Sequence, residues 1–157
     1  MLRRLARRAL REVFGYKRFR RGQRWAVWRA LQGKSSLVLL PTAAGKSLCY
    51  QLPALHSGKT AVIVSPLVSL MQDQVTKANY QQGHEVAALL GSAQSDPTVE
   101  ARAFNGEFRL VYVTPEKIAM GGIERFVAMY HAGKLLAAAV DEAHCRSEEH
   151  TSELQSR

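Results

Sequence analysis

The chain of 157 residues has few cysteines, few prolines and no long apolar run. Its two cysteines, Cys49 and Cys145, cannot build a disulfide framework, and a reducing compartment is the simpler reading. No apolar run approaches the roughly 20 residues that a bilayer-spanning helix needs, so no membrane partner is expected. Acid is scarce at one end. Residues 1–34 hold 12 Lys or Arg against a single acid, Glu12, whereas the remainder holds 10 against 12. The net charge of +9 therefore sits almost wholly at the N-terminal end, which suggests a polyanion partner or a targeting role. What is present in ordinary amount is apolar residue, 46% of the chain, enough for one domain with a real core.

The first 13 residues read as a basic amphipathic helix. Leu2, Leu5, Ala6, Ala9, Leu10 and Val13 share one face, and Arg3, Arg4, Arg7, Arg8 and Arg11 share the other. A helix that packs its apolar face and solvates its arginines is the plainest reading. An organelle-targeting peptide and a nucleic-acid contact are the alternatives. A Gly- and Arg-rich stretch follows, then a helical pattern through Trp25, Val27, Trp28 and Leu31. Beyond it, the pattern predicts strands over 36–40, 60–65, 85–90, 108–113 and 135–140. Helices are predicted over 45–55, 67–82, 97–104 and 115–131, the last broken at Gly121-Gly122. Such alternation implies an α/β domain with parallel strands and helices on both faces. Its strand ends run into polar motifs, where open parallel sheets bind ligands.

Pro41-Thr42-Ala43-Ala44-Gly45-Lys46-Ser47 joins an apolar run to a helical pattern. A loop there aims backbone N–H groups at phosphate oxygens from a helix N-terminus. Lys46 would reach the outer phosphates and Ser47 would ligate magnesium. The usual glycine five residues before Gly45 is replaced by Leu40, and a Gly-Lys-Ser can also merely start a helix. Asp141 and Glu142 lie 95 residues beyond Lys46 and follow another apolar run, continuing as Ala143-His144. Asp141 suits a magnesium contact and Glu142 suits orienting water; alone, such a pair is more often a solvated turn.

The ordered blocks together resemble the first motor domain of RecQ-type DNA helicases of superfamily two, over roughly residues 12–145. The resemblance implies a RecA-like P-loop fold, ATP and magnesium as cofactors, single-stranded DNA as partner and 3′–5′ translocation. Phe14 to Gln23 is similar to the family's adenine motif, which implies that Tyr16 stacks on the base, Gln23 bonds its edge and Arg20 lines the site. Residues 41–51 are similar to the phosphate loop, with Thr42, Ala43, Ala44, Gly45, Lys46 and Ser47 around the nucleotide. Ala43 and Ala44 stand where the family has or often has glycine. His144 completes the second acidic motif. Ser65-Pro66 and Thr114-Pro115 are similar to the two motifs that face DNA. Each also reads as a simple strand-to-helix junction, with Ser65 and Thr114 as helix caps and the prolines at first helical positions.

After Cys145 the family pattern stops. Residues 146–157 are polar and resemble the translation of a sequencing-library adapter, leaving the sheet incomplete at its C-terminal end. The resemblance calls for a further strand, an aromatic loop and a second motor domain, none of which this sequence contains. It implies a nuclear location, with organelle targeting by the N-terminal helix as the alternative.

Overall fold

The computed structural model describes residues 2–41, 44–91 and 96–142. Helix α1 spans Leu2–Phe14. Its buried residues Ala6, Ala9 and Leu10 pack against Val27 of α2, which spans Gln23–Leu31, and against Leu48 and Leu52 of α3, which spans Leu48–Ser57. Arg4, Arg7, Arg8 and Arg11 are exposed on the other face. The amphipathic pattern is thus satisfied inside the domain, as the plainest reading expects.

Among the described residues four parallel strands follow: β1 Thr60–Val64, β2 Ala87–Leu90, β3 Leu110–Val113 and β4 Leu135–Val140, in the order β2-β3-β1-β4. Parallel neighbours need crossovers, and helices supply them. Helix α4, Val68–Gln82, links β1 to β2, and α5, Pro97–Phe104, links β2 to β3. The return from β3 to β4 runs through the short turn α6, Pro115–Lys117, a wide π-helical turn over Ile118–Gly122, and α7, Ile123–His131. The break expected at Gly121-Gly122 is there: Gly121 has φ +90°, a conformation that side-chain-bearing residues rarely adopt.

One face of the sheet packs Ala61, Ile63, Leu89, Leu110 and Tyr112 against Met71 and Ala78 of α4 and Ala54 of α3. The other face packs Val62, Leu90, Val111 and Val113 against Ala103 of α5 and Phe126 and Met129 of α7. Side chains on a strand alternate between faces, so the continuous apolar runs of β1 and β3 feed both layers. Each large side chain so buried contributes about 1.5–3 kcal/mol before the entropy of ordering is counted.

The strand expected over 36–40 does not form. Residues 34–41 run beside β4 without joining the sheet, and the two segments line a groove of about 1110 Å³. Leu37 and Leu39 are 80% and 83% exposed. An apolar run of this kind is stable as a strand when ladders flank it on both edges and helices cover both faces. Among the described residues no strand pairs with it, and Leu37 and Leu39 stay uncovered.

Candidate active site

The phosphate loop connects that unpaired segment to α3. Gly45 takes φ +78°, and a Cβ there would stand 2.6 Å from Nε2 of Gln23. Both facts require glycine at this position. The turn then winds directly into helix: the N–H of Leu48 donates to the carbonyl of Gly45 at 3.3 Å, and that of Cys49 to Lys46 at 2.9 Å. Helix α3 proper begins at Leu48, three residues later than the sequence pattern predicts, with Lys46 and Ser47 at its N-terminal end. A lysine and a hydroxyl are thereby placed where the helix dipole and its free N–H groups favour anions. Thr42, Ala43 and His144, all expected site residues, lie outside the described residues.

Across the sheet, β4 delivers Asp141 and Glu142. The N–H of Asp141 donates to the carbonyl of Val64 at 2.9 Å, extending the β1 ladder by one bond. Glu142 then turns out of the strand with φ +53°, a strained value for a residue with a side chain. Its carboxylate lies 3.7 Å from the Lys46 ammonium. Two segments 95 residues apart in sequence are therefore brought into one cleft, with Lys46, Asp141 and Glu142 lining the groove beside β4.

The residues expected to face the base line a separate groove of about 500 Å³, formed by residues 14–18 and 20 with Gln23, Gly45, Ser47 and the facing side of α4. Tyr16 is half exposed and stacks on Phe14, with ring centroids 5.9 Å apart and 17° between planes. Gln23 is 4% exposed and fully engaged. Its amide nitrogen donates to the carbonyls of Ala44 and Gly45 at 3.1 and 3.0 Å, and its oxygen accepts from the N–H of Arg20 at 2.8 Å. Gln23 therefore ties the loop at Arg20 to the phosphate loop, a role not expected from its place in the sequence.

Ser65 and Thr114 end adjacent strands. Thr114 caps α6 as expected, its hydroxyl accepting from the N–H of Lys117 at 3.3 Å, with Pro115 at the first helical position. The Ser65 expectation needs correction. Helix α4 begins at Val68, and the Ser65 hydroxyl accepts from the N–H of Leu67 at 3.3 Å, so it closes the turn before the helix and does not cap the helix itself. Pro66 consequently lies in that turn, exposed, ahead of the first helical position. The serine and threonine are 2% and 6% exposed, which leaves Pro66 and Pro115 as the more accessible members of each pair.

A partly buried set of polar contacts reaches Asp141 from α3 and β3. The Tyr50 hydroxyl on α3 donates to Oδ2 of Asp141 at 3.0 Å. The Tyr50 ring meets Tyr112 of β3 edge to face at 6.5 Å. Gln51 donates from Nε2 to the Tyr112 hydroxyl at 3.0 Å and to Oε1 of Gln74 on α4 at 2.9 Å. Burial, followed by the neighbouring Tyr112 and Asp141, holds the Tyr50 phenol far above its ordinary range, and burial pushes Tyr112 up to about 12. Both phenols therefore stay protonated at neutral pH. These residues were legible in part: a glutamine on the apolar face of a helix asks for a buried partner. The partners come from distant segments.

A parallel sheet whose strand ends carry a lysine-bearing loop and paired acids is the site of a P-loop nucleotide-binding domain of the RecA-like class. The comparisons narrow the class. Residues 20–156 match the DEAD/DEAH box helicase family, and the chain belongs to that family. Its sequence is similar to that of the ATP-dependent DNA helicase RecQ of Haemophilus influenzae, 39% identical over 142 residues, covering 88% of this chain and 22% of that protein. It is also similar to the ATP-dependent helicase SGS1 of Saccharomyces cerevisiae, 44% identical over 148 residues, covering 88% of this chain and 10% of the other. The chain thus spans about a fifth or less of the length of these relatives. Among solved structures, the helicase MrfA bound to DNA and AMPPNP superposes with a TM-score of 0.66 at 22% identity, over 86% of this chain and 20% of that one. That likeness shows the shared fold.

Proposed function

We propose that this chain is the ATP-binding part of a RecQ-type 3′–5′ DNA helicase, and that it binds ATP with magnesium and single-stranded DNA. The observation that carries the reading is the approach of Lys46 to Glu142 across the cleft, at 3.7 Å. Phosphate charge entering there would draw Lys46 away from Glu142 and leave the carboxylate to orient water toward the outermost phosphorus. Tyr16 would stack on adenine through its exposed face. Gln23 would exchange its bonds to Ala44 and Gly45 for the base edge, so that base binding is felt at the phosphate loop.

The donor types also suit magnesium, with Ser47 on the smaller groove and Asp141 on the groove beside β4. Ser47 and Asp141 offer oxygen, and among the described residues no group of three His, Cys, Asp or Glu could cage an ion. Magnesium keeps water and phosphate ligands and takes one or two carboxylates, which matches this set. When bound, it would neutralise charge on the phosphates, while this chain's residues hold and orient the nucleotide.

Single-stranded DNA would pass the Ser65-Pro66 and Thr114-Pro115 turns at the ends of β1 and β3. The exposed Pro66 and the intermediate Pro115 support that placing. The second motor domain, which in this reading supplies the arginine that stabilises transferring phosphate, lies outside these 157 residues. The chain by itself is therefore expected to bind nucleotide and to show no DNA-stimulated hydrolysis. The partial helicase domain over 14–145 and the helix α1 would work as one body, since α1 is packed into the domain core. Residues 146–157 take no part in this reading. Relatives come from bacteria and eukaryotes alike; in a eukaryotic host the proposed location is the nucleus.

The test is binding of a fluorescent ATP analogue to the 157-residue chain and to Lys46→Ala. The substitution should weaken binding at least tenfold, because it removes the cation that faces the phosphates. Equal binding by both proteins would remove the assignment. Robust DNA-stimulated ATP hydrolysis by the unmodified chain would refute the dependence on a second motor domain.

A further inference from the structure

We propose that Tyr50 is a positioning residue for Asp141, setting the metal affinity of the nucleotide site through a hydrogen bond from α3 to the end of β4. This rests on the nucleotide-site reading and goes beyond it, because nothing in that reading needs Tyr50. The Asp141 carboxylate is held from two sides. Its Oδ2 accepts from the Tyr50 hydroxyl, and its Oδ1 accepts from the N–H of Glu142, each at 3.0 Å. Two donors on different oxygens fix the rotation of the carboxylate plane, and each oxygen keeps acceptor capacity for a metal-bound water.

The position of Tyr50 matters as much as the bond. It follows Ser47 by three residues, about one helical turn on, with Ser47 lining the smaller groove and Tyr50 the groove beside β4. Ser47 is the expected hydroxyl ligand and Asp141 the expected acid. The phenol therefore braces the helix that carries one ligand against the strand that carries the other. It is itself braced. Tyr112 packs edge to face on its ring, and Gln51 locks the Tyr112 hydroxyl and reaches Gln74. Tyr112 lies two residues before Thr114, and Gln74 lies on the helix that follows Ser65. The brace thus stands on both elements proposed to face DNA, and a shift in either would be transmitted to Asp141 through the Tyr112–Tyr50 ring contact and the hydrogen bonds on either side of it.

Tyr50→Phe removes one oxygen and keeps the ring. The experiment titrates MgCl₂ into the 157-residue chain with fluorescent ATP, and separately measures nucleotide affinity in EDTA and the thermal midpoint. The expected result is a magnesium midpoint raised about tenfold, the lower end for loss of a residue that orients a metal ligand. Metal-free affinity should stay within about twofold, since a single hydroxyl remote from the phosphates is not part of that contact. In an Asp141→Asn background, Tyr50→Phe should cause no further shift, because the bond it removes no longer orients a carboxylate. An unchanged magnesium midpoint, an equal shift in both backgrounds, or a matching loss of metal-free affinity would each overturn the proposal. If Lys46→Ala weakens binding while Tyr50→Phe leaves the metal midpoint alone, only the role of Tyr50 falls. If Lys46→Ala has no effect, the nucleotide-site reading falls and this proposal with it.

Discussion

Among the described residues, strands β2 and β4 are both edges of the sheet, yet they are built differently. Every residue of β2 is buried, and its start is sealed by one side chain. Oδ1 of Asn79 on α4 accepts from the N–H groups of Val86 and Ala87 at 2.7 and 2.8 Å, and its Nδ2 donates to the carbonyl of Ala87 at 3.1 Å. Strand β4 makes a longer ladder with β1 but is only partly covered, and Val140 at its end is 70% exposed. The groove beside it holds Lys46, Asp141 and Glu142. A sheet edge that only has to hold the fold can be closed by helices and an amide. In the proposed function the β4 edge carries the nucleotide site, and such an edge has to leave room for its ligand.

The largest effect that separates the two sides is expected in packing. Leu110 of β3 is fully buried, so Leu110→Ala should cost about 3 kcal/mol of unfolding free energy. Leu37→Ala, at an 80% exposed position beside β4, should change stability by less than about 0.5 kcal/mol. Urea unfolding monitored by tryptophan fluorescence measures both, and equal costs would erase the contrast. Next in size is the sealed edge. Asn79→Ala leaves two buried N–H groups without their acceptor and should cost about 2 kcal/mol; hydrogen exchange at Val86 and Ala87 should speed up while exchange in β1 stays slow.

The smallest effect concerns a surface cluster on the β2 side. The Glu100 carboxylate accepts from the Lys117 ammonium at 2.7 Å and pairs with Arg125, and these contacts, led by the Lys117 hydrogen bond, hold its carboxyl below the usual range. A lowered folded value means that the stabilisation is complete above the ordinary Glu range and is lost as pH falls through the lowered value. Glu100→Gln should therefore cost roughly 0.5–1 kcal/mol at pH 7 after allowance for solvent screening. The difference should narrow below about pH 4.3, where the unfolded carboxyl begins to protonate. A difference that persists unchanged at pH 3 would assign the cluster a packing role through Arg125, which lies 3.7 Å over the Phe104 ring.

Much of this was legible in the residue pattern because it is local. Strand, helix and break positions from residue 60 onward follow from apolar period and from Gly121-Gly122. Thr114 as a helix cap follows from a hydroxyl before Pro115. The strand expected over 36–40 failed for a non-local reason. Its apolar run meets the local requirement, but a buried strand also needs neighbours that local pattern does not supply. The same limit hid the second use of Gln23, whose partners lie 21 and 22 residues away, and the bond from Tyr50 to Asp141, which spans 91.

By itself the sequence determined the class of domain and most of its chemistry: a lysine and hydroxyl at a helix start, two acids at a strand end, and a basic helix with one apolar face. These follow from residue type and spacing, which act within a turn or a strand. Only the tertiary structure decided which of those groups meet. It set Glu142 opposite Lys46, bent Gln23 onto the phosphate loop, and stood Asp141 on Tyr50. The physical reason is that hydrogen bonds and ion pairs act over a few ångströms, so contacts between distant segments exist only once the parallel sheet has brought its strand ends to one edge.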